Sequence, residues 1–351
     1  MIMENIITLK DVSKEFKVLN RREGLRGSLR DLFSRDYNII KAVSRITMDI
    51  TKGEIVGYLG PNGAGKSTTI KMMTGVLEPT NGEITVNGRI PYKKRTQNAQ
   101  DIGVVFGQRS QLWWALPVIE SFKILKDIYQ VNDKDYKDMM DLYSSLVDMD
   151  ALLHKPVRQM SLGQRTLCDI LAAFLHNPGV VFLDEPTIGL DVSMKSKIRD
   201  LIKTLNREKE TTIILTTHDM GDVDALCKRI VIIDKGTLLY DDAIDNLQRF
   251  FGAYRTLQIM LADTIQDENK ENKNSERIST LEQILHSQYP NASSIAISEN
   301  EEWIDILINE EEVLLMDILN TLQDKYRIKD MKLKEISTES IIKKIYEGGL
   351  R

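Results

Sequence analysis

The chain has 351 residues, enough for two or three domains and a substantial buried core. Hydrophobic residues make up 42% and charged residues 28%, an ordinary soluble composition. The net charge of −5 argues against a protein that coats duplex nucleic acid, and no nucleic-acid partner is expected.

Met1 leads directly into polar, strand-like sequence, so no secretory signal is expected. From about Ile6 to Tyr240, short apolar strands alternate with amphipathic helices, the pattern of an α/β domain. Early in it, residues 20–38 read NRREGLRGSLRDLFSRDYN. Leu25, Leu29, Leu32 and Phe33 fall there at helical spacing among Arg21, Arg22, Arg26, Arg30 and Arg35. Such a basic amphipathic helix can lie on an anionic membrane surface, dock on a partner, or cover the domain's own core. The runs EIVGYLG (54–60), VVFLD (180–184), TIILTT (212–217) and RIVIID (229–234) are nearly continuous and rich in Val and Ile. Strands buried on both faces of a parallel sheet read this way. A mostly helical insert, about 112–179, lies between two of them. No apolar run approaches the roughly 20 residues a membrane helix requires, so the chain is not expected to span a bilayer.

Composition changes after Tyr240. The stretch DTIQDENKENKNSER (263–277) is polar and aperiodic and reads as a loop or linker. Around it the pattern predicts strand 255–262, helix 277–288, strands 293–298 and 302–308, helix 312–326 and strand 328–336. That β-α-β-β-α-β order is the order of a ferredoxin-like unit. An amphipathic segment, 338–346, follows. Cys168 and Cys227 are far apart, lack metal-ligand spacing, and read as small core residues in a reducing compartment.

The stretch GPNGAGKST, Gly60 to Thr68, satisfies G-x-x-x-x-G-K-[ST], follows a predicted strand and opens a helix. Gly60, Pro61, Asn62, Gly63, Ala64 and Gly65 form a loop whose backbone N–H groups can wrap phosphates, helped by the positive end of the helix. Lys66 would reach the β- and γ-phosphates, and the hydroxyl of Ser67, next to Thr68, would bind Mg2+. Downstream, VVFLDEP places Asp184 and Glu185 at the end of an apolar strand, where Mg2+ sits opposite a phosphate loop. Asp184 suits Mg2+ binding through water. Glu185 suits the polarising of an attacking water.

The phosphate loop, MSLGQ, FLDEPTIGLD and TTHD occur in the order and spacing of the ATP-binding-cassette (ABC) ATPases, which the chain resembles over about residues 5–240. The stretch VVFGQRSQLWWALPVIESF and the appended C-terminal unit look like bacterial ABC exporters of the daunorubicin-resistance and viologen-exporter type. The resemblance implies an α/β P-loop NTPase cassette, a mixed sheet core plus helical subdomain, with a C-terminal α+β appendage. Residues 1–240 would be the ATPase domain and 241–351 an accessory or regulatory domain. ATP and Mg2+ are the implied ligands.

By the same resemblance Phe16 stacks on adenine, a core phenylalanine on an early strand being its other reading. Gln108 touches Mg2+ and the attacking water, His218 reaches the γ-phosphate, and Asp191 lies in a loop that communicates across a dimer. Trp113 and Trp114 fall where the family forms a groove for a membrane subunit's coupling helix, core packing being the alternative for one of them. Ser161, Gly163 and Gln164 complete the partner subunit's site, with Leu162 in place of the first glycine of the usual L-S-G-G-Q. His154, His176 and His286 match nothing in the family.

The implied assembly is a homodimer, or a pair with a closely related second ATPase, on the cytoplasmic side of the cell membrane. ATP-driven closure and hydrolysis-driven opening would power separate integral membrane permease subunits. The alternative is a soluble ABC ATPase with a non-transport role, but such relatives usually carry two cassettes or long coiled-coil insertions, and neither appears. A GTP-binding switch would carry an [NT]-K-x-D motif, and none fits.

Overall fold

The computed structural model describes residues 4–19, 37–107, 109–250, 254–262, 270–290, 292, 295–300, 303–335 and 338–346. Most of the basic stretch 20–38 and the predicted site residue Gln108 lie outside the described residues. The chain divides into two compact units, Met1–Ile244 and Asp245–Arg351.

In the first unit the strands are β1 (Asn5–Leu19), β2 (Tyr37–Thr51), β3 (Ile55–Leu59), β4 (Asn81–Val86), β5 (Ile102–Val105), β6 (Val180–Asp184), β7 (Thr212–Thr216), β8 (Arg229–Asp234) and β9 (Thr237–Ala243). Strands β2, β1 and β4 form an antiparallel sheet. Its sequence alternates accordingly: Ile46, Met48 and Ile50 are buried, while Arg45, Thr47 and Asp49 between them are exposed. The second sheet runs β5-β6-β7-β3-β8-β9, parallel except for the edge strand β9. Every residue of β7 is buried: Ile213, Ile214 and Leu215 as an apolar run requires, and Thr212 and Thr216 with their hydroxyls hydrogen-bonded.

One core joins the two sheets. Ile7, Leu9, Ile46 and Ile84 pack in it with Val56, Phe182 and Ile214, and with Ile70, Met72 and Met73 of the helix Lys66–Met73. Burial of that helix holds its first turn, and the loop before it, in a fixed place relative to the sheet ends.

Between β5 and β6 lie the helices Val118–Ile128, Asp133–Leu146, Asp150–Leu153 and Leu162–Phe174. Val118, Phe122 and Leu125 make the buried stripe of the first, at the spacing of one helix face. Phe122 meets the Tyr143 ring edge-on at 6.4 Å, and the Tyr143 hydroxyl donates to Leu171 O at 2.6 Å, tying three of these helices together.

The second unit holds an antiparallel sheet of β10 (Tyr254–Leu261), β11 (Ala296–Asn300), β12 (Trp303–Asn309) and β13 (Ile328–Glu335), in the order β11-β12-β10-β13. With helices Lys270–Gln288 and Leu315–Gln323 the connectivity is β-α-β-β-α-β, that of the ferredoxin-like unit. Leu257, Ile259, Ile306 and Ile308 face Leu281, Leu285, Ile318 and Leu322 in its core. The first helix begins at Lys270, inside the stretch 263–277 expected to be loop. Glu, Lys, Gln and Arg lose little rotamer freedom in a helix, so a polar aperiodic segment can extend one whose far end is packed. A helix Thr338–Tyr346 follows β13. Among the described residues no helix is long and apolar enough to cross a membrane.

Candidate nucleotide site

Strand β3 ends at Leu59 and the helix resumes at Lys66, so Gly60–Gly65 form a turn clamped between two elements. Gly65 has φ +106°, and a Cβ there would lie 2.5 Å from Ala42 O on β2. At Gly60 a Cβ would lie 2.5 Å from Ile233 O on β8. Both positions therefore exclude any side chain, and the loop backbone approaches its neighbours as closely as glycine allows. The Lys66 ammonium donates to the carbonyls of Gly60 and Pro61, the latter at 3.2 Å. Partial burial lowers its pKa, against the opposing charges of Glu185 and Asp184.

This loop forms one wall of a cavity of about 650 Å3. Pro61 through Thr68 line it, and Asp184, Glu185 and His218 face them. These residues meet because β6 and β7 are parallel neighbours in register at Asp184 and Thr216, so both strands deliver their C-terminal ends to the same edge. The Thr216 hydroxyl donates to Asp184 Oδ1 at 2.5 Å and fixes that carboxylate. Glu185 follows with φ +53°, a left-handed backbone that costs a residue with a Cβ roughly 1 kcal/mol. Its N–H bonds to Thr216 O at 2.9 Å, and its carboxylate Oε1 lies 3.1 Å from His218 Nε2.

Behind this pair sits Asp222, fully buried on the helix Met220–Leu226. Its Oδ2 accepts the Thr187 and Thr217 hydroxyls, the latter at 2.9 Å, and its Oδ1 accepts Arg199 Nε at 2.7 Å. One carboxylate thus holds both the turn after Glu185 and the residue before His218. Sequence reasoning missed it: an acid in the first turn of a helix reads as an exposed partner of the helix dipole. It also missed Ala42, Phe106, Gly107, Arg109 and Ile188 on the cavity wall. Of these, Arg109 stood one residue beyond the predicted Gln108 and could have been suspected.

The remaining predicted residues that the structure describes do not line the cavity. Ser161 caps the helix Leu162–Phe174: its hydroxyl accepts from Gln164 N at 3.2 Å, and Gln164 Oε1 accepts from Ser161 N at 3.2 Å. Lys155 donates to the same Oε1 at 3.0 Å. Gly163 is buried, and a Cβ there would meet the Met194 side chain. Leu162 is 47% exposed. Asp191 caps the helix Val192–Lys209, accepting from Met194 N at 2.9 Å. Phe16 lies on β1, partly buried, with the Lys14 ammonium 5.4 Å from its ring centroid. Trp113 and Trp114 are both exposed, and the Arg165 guanidinium stands 4.9 Å from the Trp114 ring centroid.

A glycine loop at a helix start, facing two carboxylates and a histidine, can receive a polyphosphate and activate water against it. The ABC transporter family profile matches residues 43–188. NatA, an ABC transporter ATP-binding protein of Bacillus subtilis (strain 168), is 34% identical over 215 residues, 61% of this chain and 87% of that protein. The chain belongs to the ABC transporter ATP-binding family. The cassette is also 32% identical over 253 residues to the cholesterol transporter ABCA5 of Rattus norvegicus, covering 72% of this chain but only 15% of that protein. Among solved structures, the dimeric post-hydrolysis state of the ATP-binding cassette MJ0796 bound to ADP and Pi aligns with a TM-score of 0.54. Identity to it is 25%, over 68% of this chain and 98% of that one. The fold is thus the P-loop NTPase ABC cassette, a mixed sheet with a helical subdomain, and its activity is ATP binding and hydrolysis.

Proposed function

We propose that this cassette is the ATPase subunit of an exporter of the daunorubicin-resistance and viologen-exporter type, working as a dimer on separate membrane subunits. The observation that carries the site assignment is the single cavity in which the phosphate loop faces Asp184, Glu185 and His218. Lys66 and the loop N–H groups bind the phosphates, Glu185 takes the position of general base, and His218 orients it from 3.1 Å. The names of NatA and ABCA5 support a transport role.

Ser67 and Asp184 would hold Mg2+. A hydroxyl and a carboxylate are hard oxygen donors, and Mg2+ characteristically takes one or two protein carboxylates, phosphates and water. When bound, Mg2+ supplies charge neutralisation on the phosphates.

Ser161, Gly163, Gln164 and Asp191 lie at two helix starts outside the cavity, where they would complete a second subunit's site. Phe16 stacks on adenine, and Gln108 joins the metal and the water. Residues 245–351 serve as an accessory or regulatory unit, and the assembly sits at the cytoplasmic face of the membrane.

Affinity purification of the full chain from detergent-solubilised membranes tests the transport role. Co-purification of polytopic permease subunits, with ATP hydrolysis that they stimulate, is expected. Ribosomes or DNA in their place, without any membrane protein, would establish the non-transport reading instead.

A further inference from the structure

Asp169 lies on the helix Leu162–Phe174 with 6% of its surface exposed. Its neighbours Leu167, Cys168, Ile170 and Leu171 are all buried and apolar, and they suffice to seat the helix. A carboxylate in such surroundings is costly unless its bonds are made. Burial pushes this one up to about 6, opposed by its hydrogen bonds and by the charge of Arg165.

All of those bonds go to one short segment. Asp169 Oδ1 accepts the Ser110 hydroxyl at 2.9 Å and the Gln111 backbone N–H at 3.0 Å. The Asp169 carbonyl accepts the Gln111 side-chain amide at 2.9 Å. Ser110 Oγ in turn accepts the Leu112 N–H at 3.1 Å. One helical turn earlier, Arg165 covers the Trp114 ring. This segment continues directly from Phe106, Gly107 and Arg109, which line the cavity, and the helix that grips it begins at the Ser161 capping box.

We propose that Asp169 is a positioning residue for ATP hydrolysis, binding residues 110–112 to the helix that starts at Ser161 so that cavity loop and helix move as one piece. A displacement of the cavity loop is then delivered to Ser161, and a force on Ser161 is delivered back to the cavity. The proposal rests on the reading of that cavity as the ATP site.

Purified full chain is assayed for turnover, ATP affinity and thermal stability. Asp169→Leu should hydrolyse ATP roughly ten-fold more slowly, with an ATP Kd within about three-fold of the parent and no loss of stability. Ser110→Ala should show a smaller fall of the same kind, and should add nothing in the Asp169→Leu background. Asp169→Asn, which keeps an acceptor oxygen, should recover most of the rate. Parental turnover in Asp169→Leu, or a rate loss that merely tracks loss of folded protein, overturns the proposal. Glu185→Gln, run alongside, tests the site reading separately: full turnover in that variant would overturn the reading whatever the Asp169 variants do.

Discussion

His218 Nε2 stands 3.1 Å from Glu185 Oε1 across the ends of two neighbouring strands, although the chain places the two residues more than thirty positions apart. Glu185 holds that position in a left-handed backbone, so its placement is enforced by the surrounding structure rather than by local preference. Replacing the carboxylate by an amide removes the base and leaves the shape. Glu185→Gln should lower turnover by at least about 100-fold while ATP binding persists. His218→Ala should lower it by a similar factor, and the double variant should be little worse than either, as for residues acting as a unit. Steady-state hydrolysis with a parallel ATP-binding titration measures both.

Thr187, Thr217 and Arg199 all bond to the fully buried Asp222. Asp222→Ala leaves both hydroxyls without their acceptor and the Arg199 guanidinium with Asp219 alone, at 3.3 Å, and should cost about 3 kcal/mol of stability. Thr217→Val removes one donor to Asp222 and the acceptor of the Asp219 N–H, leaves the other bonds to Asp222 in place, and should cost about 1–2 kcal/mol. Urea unfolding of the three proteins ranks them, and equal midpoints would show that the network holds nothing.

Ser161 has a structural duty that can be separated from its proposed role in a second subunit's site. Ser161→Ala loses the cap and should cost about 1 kcal/mol. Ser161→Asp keeps an N-cap acceptor yet presents an anion to the γ-phosphate. It should retain parental stability and lose ATP-driven self-association in the Glu185→Gln background, as read by size-exclusion chromatography. Intact association there would remove Ser161 from the interface.

Two buried groups pull the acid stability of the protein in opposite directions. The His176 ring stacks on Tyr129 at 3.8 Å, with Nε2 3.0 Å from Ile102 O, and burial pushes its pKa down to about 4. The unfolded chain takes up that proton near pH 6.5, so the stabilisation is complete above about 6.5 and is lost as pH falls through about 4. Its full size is of order 3 kcal/mol. Asp169, pushed up to about 6, has the reverse sign. The folded state keeps its proton between about 4 and 6 where the unfolded state does not, so this contribution grows as pH falls through that window. His176→Gln should flatten the acid-side decline in melting temperature. Asp169→Asn should raise the melting temperature more at pH about 7.5 than at about 4.5.

The phosphate loop and the strands that carry Asp184, Glu185 and His218 were legible because their signals are local. Gly60 to Thr68 form one turn between a strand and a helix, and doubly buried strands need unbroken apolar runs. The same locality exposed the helix start at Ser161 and the strand–helix alternation of the second unit. It failed at Lys270, where polar residues join a helix seated by packing further along. Asp222 and Asp169 were illegible for a deeper reason. Nothing in an acidic residue on a helix announces whether it faces water or a buried cluster of hydroxyls from another strand or loop. The sequence alone thus determined which backbone turns and apolar strands could form, because those depend on neighbours in the chain. Only the tertiary structure decided which charges are buried, what each one holds, and that Glu185 meets His218, because those depend on desolvation and on contacts between distant segments.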